Sequence, residues 1–136
     1  QVLSSAASDV YKRQCIFCFT KKKEYLFENE LAYATTVTYP VSKFHSLIIP
    51  KRCVKNYFDL TSKEILACNK LIKKLKKKIE MNDKSVKGFN IGTNSGKVAG
   101  QSINHCHIHL IPRRKNDVKN PQGGVRAVIS LLNSIM

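Results

Sequence analysis

The chain of 136 residues is 43% apolar, enough for one domain with a single core and no disulfide staples. Its composition excludes a membrane helix, because no apolar run approaches the ~20 residues a span needs. Five cysteines, an odd and scattered number, exclude a disulfide framework, and no basic start followed by an apolar core reads as a signal peptide. The expectation is a soluble cytoplasmic protein with reduced thiols and no membrane partner. Lys and Arg number 24 against 9 Asp and Glu, a formal charge of +15, and such a field draws phosphate-bearing molecules. Most of that charge is lysine in runs such as Lys73-Lys74 and Lys76-Lys77-Lys78, which read first as a solvated surface. No zinc-finger, helix-turn-helix or RNP pattern accompanies it, so charge alone argues for no nucleic-acid partner.

Residues 1–14 are small and polar around a few apolar positions, and read as an atypical segment: a short added helix, a disordered arm or a scar. Cys15-Ile16-Phe17-Cys18 is a CxxC pair that can clasp half of a zinc site, carry redox chemistry or simply fill space. Tyr25 to Glu28 and Leu31 to Tyr39 are rich in strand formers around a Glu28-Asn29-Glu30 turn, and Phe44 to Pro50 is a third strand stopped by proline. Thr61 with Glu64 forms a capping box, and Ile65, Cys68, Leu71, Ile72, Leu75 and Ile79 recur at helical spacing to about Met81. Gly88 to Asn94 is a further strand, leading into a loop punctuated by Gly96 and Gly100.

That loop feeds His105-Cys106-His107-Ile108-His109-Leu110-Ile111-Pro112. On a strand the three histidines would share one face, about 6–7 Å apart, within reach of one phosphorus centre or of a metal. The bland alternative is an exposed His-rich edge strand. The flank favours phosphate, because Asn94-Ser95-Gly96 and Gly100-Gln101-Ser102 offer amide donors and close backbone approach.

With its apolar residue after each histidine, His105 to Ile111 resembles the histidine triad (HIT) nucleotide hydrolases and transferases. Gly100-Gln101-Ser102, Ile111-Pro112-Arg113, Cys15 to Cys18, and Pro40 through His45 to Arg52 extend the likeness over residues 15–129. The resemblance implies an α+β fold with a mainly antiparallel five-stranded sheet, one long and one short helix, and a two-fold homodimer. It places the HIT domain at 15–129 and a short tail at 130–136.

For chemistry, the resemblance implies that His107 attacks the α-phosphorus of a nucleotide and that His109 donates to a leaving-group oxygen. His105 orients the site through zinc or through a relay with His45. Asn94, Gly100, Gln101, Ser102 and His45 would bind substrate, and Arg126 could reach a distal phosphate. Leu26, Phe27 and Tyr33 are candidate base contacts, against a plain packing role. A structural zinc would sit on Cys15, Cys18, Cys53 and His105, and no catalytic cofactor is required. Substrates would be diadenosine tetraphosphate-like or AMP-conjugate molecules; the competing class is a non-catalytic nucleotide-binding or protein-interaction module. One departure favours that class: Val37 stands where many members carry an aspartate for the ribose hydroxyls.

Overall fold

The computed structural model describes residues 15–129; the readings made for 1–14 and for 130–136 lie outside the described residues. Five strands, β1 (Phe27–Glu28), β2 (Ala32–Thr36), β3 (Ser46–Pro50), β4 (Val86–Gly92) and β5 (Ile108–Arg114), pair antiparallel in the order β1-β2-β3-β5-β4. One long helix, α1 (Ser62–Asn82), joins β3 to β4. The shorter helical pieces among the described residues are 3-10 turns, at Ile16–Cys18, Lys22–Glu24, Tyr57–Asp59, Lys97–Ala99 and Gly124–Val128.

α1 starts where the sequence places it. Thr61 Oγ1 accepts from the Glu64 backbone N–H and Glu64 Oε1 accepts from the Thr61 N–H, satisfying two orphan donors reciprocally. The same carboxylate takes a two-pronged grip from Arg52, at 2.7 and 3.0 Å, which ties the helix start to the chain leaving β3. These donors hold the Glu64 carboxyl down at about 2, Arg52 contributing most.

Alternation sorts the strands onto two faces. Ala32, Ala34, Ile48, Ile108 and Leu110 meet Ala67, Cys68, Leu71, Leu75 and Ile79 of α1 in one core cluster. The two strand alanines, both fully buried, let the helix backbone approach the sheet closely. Each fully buried Leu or Ile contributes roughly 1.5–3 kcal/mol of apolar burial. On the other face Tyr33, Leu47 and Ile49 pack under Cys15 and Phe17. β3 is paired on both edges and buried along its whole length.

Two expectations change here. Leu26 and Phe27, read as base contacts, pack against the helix-side core; the register pairs Phe27 with Ala34 on the α1 face, and Leu26 lies just ahead of the strand. Lys74 and Lys78 close over the Phe27 ring at 4.5 and 5.0 Å. Tyr33 does lie on the opposite face, but fully buried, stacked on Tyr25 at 4.2 Å and donating its hydroxyl to the Phe17 carbonyl.

Candidate active site

The three histidines do not share one regular strand. β5 begins only at Ile108, so His109 is a strand residue while His105, Cys106 and His107 form an irregular approach to it. The backbone groups of this approach are spent on other partners than a ladder. The Cys106 N–H donates to the Val54 carbonyl at 2.8 Å. The His105 carbonyl takes the His107 ring at 2.8 Å, and the His107 carbonyl takes the Thr93 hydroxyl at 2.7 Å. His105 is completely buried, His107 is buried, and His109 is half-buried.

Each ring has a different anchor, and the hydrogen-bond network assigns each tautomer. His107 Nδ1–H donates to the His105 carbonyl, which leaves Nε2 with its lone pair and no proton. Phe17 lies 5.1 Å away, centroid to centroid, and fixes the plane of the ring from one side. For His109 the assignment runs through a chain. The Val41 backbone N–H donates to His45 Nδ1 at 3.1 Å, so the His45 proton sits on Nε2. That proton is given to His109 Nδ1 at 2.9 Å, so His109 carries its own hydrogen on Nε2. Burial is the main cause that lowers His109 to about 4, helped by His107 and His45 beside it, so the ring is neutral at pH 7. The 5.4 Å between the His107 and His109 centroids sets a bare lone pair beside a neutral N–H donor.

This corrects the role read for His45. Its partner is His109 rather than His105, because β3 pairs with β5 in a register that puts Leu47 opposite His109. Burial lowers the His45 pKa, consistent with a neutral relay.

His105 faces away from the other two. Nε2–H donates to the Pro50 carbonyl at 2.7 Å, so Nδ1 presents a lone pair to Cys15 Sγ at 3.2 Å and Cys18 Sγ at 3.5 Å. The donor atoms of Cys15, Cys18, Cys53 and His105 all lie within 4.8 Å of one another. Burial, with hydrogen bonds to Cys15 and Cys53, pushes the Cys18 thiol well above its ordinary range, as expected for crowded thiols without a cation. The set fits zinc: three sulfurs and one imidazole lone pair make a four-ligand shell, and the second imidazole nitrogen is already held by a carbonyl. A metal there would supply a structural cross-link between the Cys15–Cys18 turn, the chain after β3 and the first histidine.

The loop before the triad is built by Gln101. Its amide donates to the Lys55 and Ile103 carbonyls at 2.6 and 3.0 Å, and its Oε1 accepts from the Gly96 N–H at 2.9 Å. Both amide hydrogens are committed, so this side chain shapes the loop rather than reaching a phosphate, which corrects the role read for it. Gly100 has φ +95°, a backbone that side chains rarely adopt, and its Cα faces the Asn94 amide at a distance where a Cβ would touch. Asn94 is half-buried and Ser102 exposed at the same loop. Arg113 is turned away, gripping Asp117 through Nε and Nη2 and Asn90 through Nη1. Arg126 is exposed on the last 3-10 turn. Val37 is half-buried against Tyr33, Leu47 and Ile49, so an apolar wall replaces a hydroxyl acceptor. Thr93, Val41 and Phe17 support the histidines without having been singled out. Thr93, at the end of the β4 run, carried the one readable signal, since antiparallel pairing brings it beside the triad.

The profile of the HIT domain family matches residues 19–116. An uncharacterized HIT-like protein of Methanocaldococcus jannaschii is 37% identical over 108 residues, covering 76% of this chain and 81% of that one. The bis(5'-adenosyl)-triphosphatase of Dictyostelium discoideum is 34% identical over 100 residues, 74% of this chain and 66% of that protein. Among solved structures, a hypothetical histidine triad nucleotide-binding protein of Sulfolobus tokodaii superposes with a TM-score of 0.69 at 33% identity, covering 76% of this chain and 71% of that one.

Proposed function

The chain belongs to the HIT domain family, and from that premise we propose that it hydrolyses a nucleotide at its α-phosphate through a nucleotidyl-histidine intermediate. The observation that carries this reading is the pair of opposite tautomers, a lone pair on His107 Nε2 and a hydrogen on His109 Nε2, set side by side. His107 Nε2 forms the bond to phosphorus as the phosphoanhydride or phosphoramidate bond breaks, and His109 Nε2–H donates to an equatorial oxygen or to the leaving atom, oxygen in the first case and nitrogen in the second. Water then attacks phosphorus, the His107–phosphorus bond breaks, and the nucleotide leaves. The His105 carbonyl fixes the attacking ring and becomes a stronger partner as that ring gains positive charge. Backbone and side-chain donors of Asn94, Gly100 and Ser102 cradle the phosphate oxygens.

A diadenosine polyphosphate or an AMP conjugate is the substrate class, supported by the triphosphatase named among the relatives. Cys15, Cys18, Cys53 and His105 hold a structural zinc, the protein acts in the cytoplasm, and two copies form a dimer. Metal analysis of the purified chain tests the zinc, and sedimentation tests the dimer. Val37 favours a second reading, a nucleotide-binding module without turnover, because no hydroxyl acceptor stands at that wall. Incubation with an adenylate donor followed by mass spectrometry decides: the enzyme reading expects nucleotide trapped on His107 and product released. Absence of both, with retained nucleotide binding, would support the module.

A further inference from the structure

The 21 residues of α1 include seven lysines, all exposed, and two glutamates. The sequence shows the lysines; the fold shows where the acids go. Glu64 is buried in the grip of Arg52, and Glu80 pairs with Lys76 at 2.9 Å. Asp83, which follows the helix, is held by Arg114. Lys74 and Lys78 lie over the Phe27 ring on the β1 side. Lys63, Lys70, Lys73 and Lys77 remain on the outer surface and meet no carboxylate among the described residues.

Helical geometry sets these four in a row. Lys63, Lys70 and Lys77 recur every seven residues, roughly 10 Å apart along the axis and about 20° apart around it, with Lys73 beside them. Lys70 with Lys73, and Lys73 with Lys77, are like charges at three- and four-residue spacing, which weaken the helix. A face that served only hydration would do so better with glutamates interleaved. Nor does the row serve the histidines, because α1 packs on the opposite face of the sheet. A layer spacing of about 10 Å and a helix radius of about 5 Å put it beyond one screening length, about 8 Å, of a nucleotide at His107.

We propose that this row is a docking surface for the phosphate backbone of a DNA duplex, bound without regard to sequence. Its length of roughly 21 Å matches about six base pairs. Ammonium groups are point charges suited to single phosphate oxygens. α1 holds no arginine to read base edges and no aromatic ring on which an unpaired base would stack. A bilayer is the poorer partner. A helix lying on one buries its apolar side there, and the sheet already takes Leu71, Leu75 and Ile79 of α1.

The test is fluorescence anisotropy of a labelled DNA duplex of about 16 base pairs, titrated with the full chain between about 50 and 200 mM NaCl. It needs no turnover, so it stands or fails apart from the hydrolase reading. Four phosphate contacts predict a log–log salt slope of about −3.6, a fall in affinity of roughly 150-fold across that range. Lys70→Gln, Lys73→Gln and Lys77→Gln together should leave a slope of about −0.9 and a fall of about fourfold. The matched triple Lys21→Gln, Lys22→Gln and Lys23→Gln removes the same charge from an exposed turn and should keep the original slope. Melting temperatures should hold in both, since every substituted side chain is exposed. A slope near zero, or equal losses in the two triples, would overturn the surface. Equal affinity for a single-stranded oligonucleotide, or for phosphatidylserine vesicles at the same phosphate concentration, would overturn the choice of a duplex.

Discussion

One face of the sheet is held by side chains that could trade places, and the other by hydrogens that cannot. Toward α1, Ala32, Ala34, Ile48, Ile108 and Leu110 ask only for apolar volume and fit. On the histidine face, His109 of β5, with His45 and His107 just ahead of β3 and β5, presents rings whose use depends on which nitrogen carries a proton. Ile108 and His109 are adjacent residues with opposite requirements, since the pleat sends one into packing and the other into chemistry. The difference predicts that the two faces fail in different ways.

The largest effect is expected from His107→Ala, which removes the lone pair and should lower turnover on the order of 10³-fold or more. Circular dichroism and the melting curve should be unchanged; near-wild-type hydrolysis by this folded variant would sink the division between faces. The opposite break is Leu75→Ala on the helix face. Denaturant titration should show about 2–5 kcal/mol of lost stability, with turnover per folded molecule retained. A large fall in the specific rate of the folded fraction would mean that the faces are not separable.

The acid limb of stability sharpens the same comparison. The Glu64 carboxyl is held at about 2, below its ordinary 4.5, chiefly by Arg52. Its contribution is complete above about pH 4.5 and disappears as pH falls toward 2, amounting to about 1–2 kcal/mol because Arg52 is half exposed. Denaturation at pH 6 and pH 3 should show most of that loss, and Glu64→Gln should remove the Glu64 share of it. His109 adds to the same slope: its folded value of about 4 lies below 6.5, so its stabilisation is present above pH 6.5 and lost down to pH 4. In ring-nitrogen NMR spectra His109 should stay neutral as pH falls through 6.5 and take a second proton only toward 4. There a second proton on His109 would face the His45 donor across 2.9 Å. The smallest effect is His45→Ala, which frees the His109 tautomer and should cost about tenfold in kcat with little change in KM. Equal losses in both would make His45 a substrate contact.

What could be read from the chain divides along the same line. Periodicity located α1, its capping box and the core partners Cys68, Leu71, Leu75 and Ile79, because repeated burial leaves a repeated pattern. The resemblance, rather than spacing, put the CxxC pair, Cys53 and His105 together, and their donor atoms do lie within 4.8 Å of one another. Orientation was not legible. Whether Phe27 faced α1 or the histidines turned on one residue of register at a two-residue edge strand. Gln101 looked like a phosphate donor because the resemblance and its place in the loop before the histidines pointed there; its Lys55 and Ile103 carbonyl partners come from the fold. The break in the triad strand was hidden for a similar reason, since alternating residues do not reveal that Val54 and Thr93 take the backbone groups.

The 2.9 Å contact between His45 and His109 spans 64 positions along the chain, with the whole of α1 and β4 between them. Neither half of the molecule holds all of these rings: His45 comes before α1, and His107 and His109 come after β4. A break in the chain after α1, near Asp83, would part the His45 ring from the His109 ring that it orients.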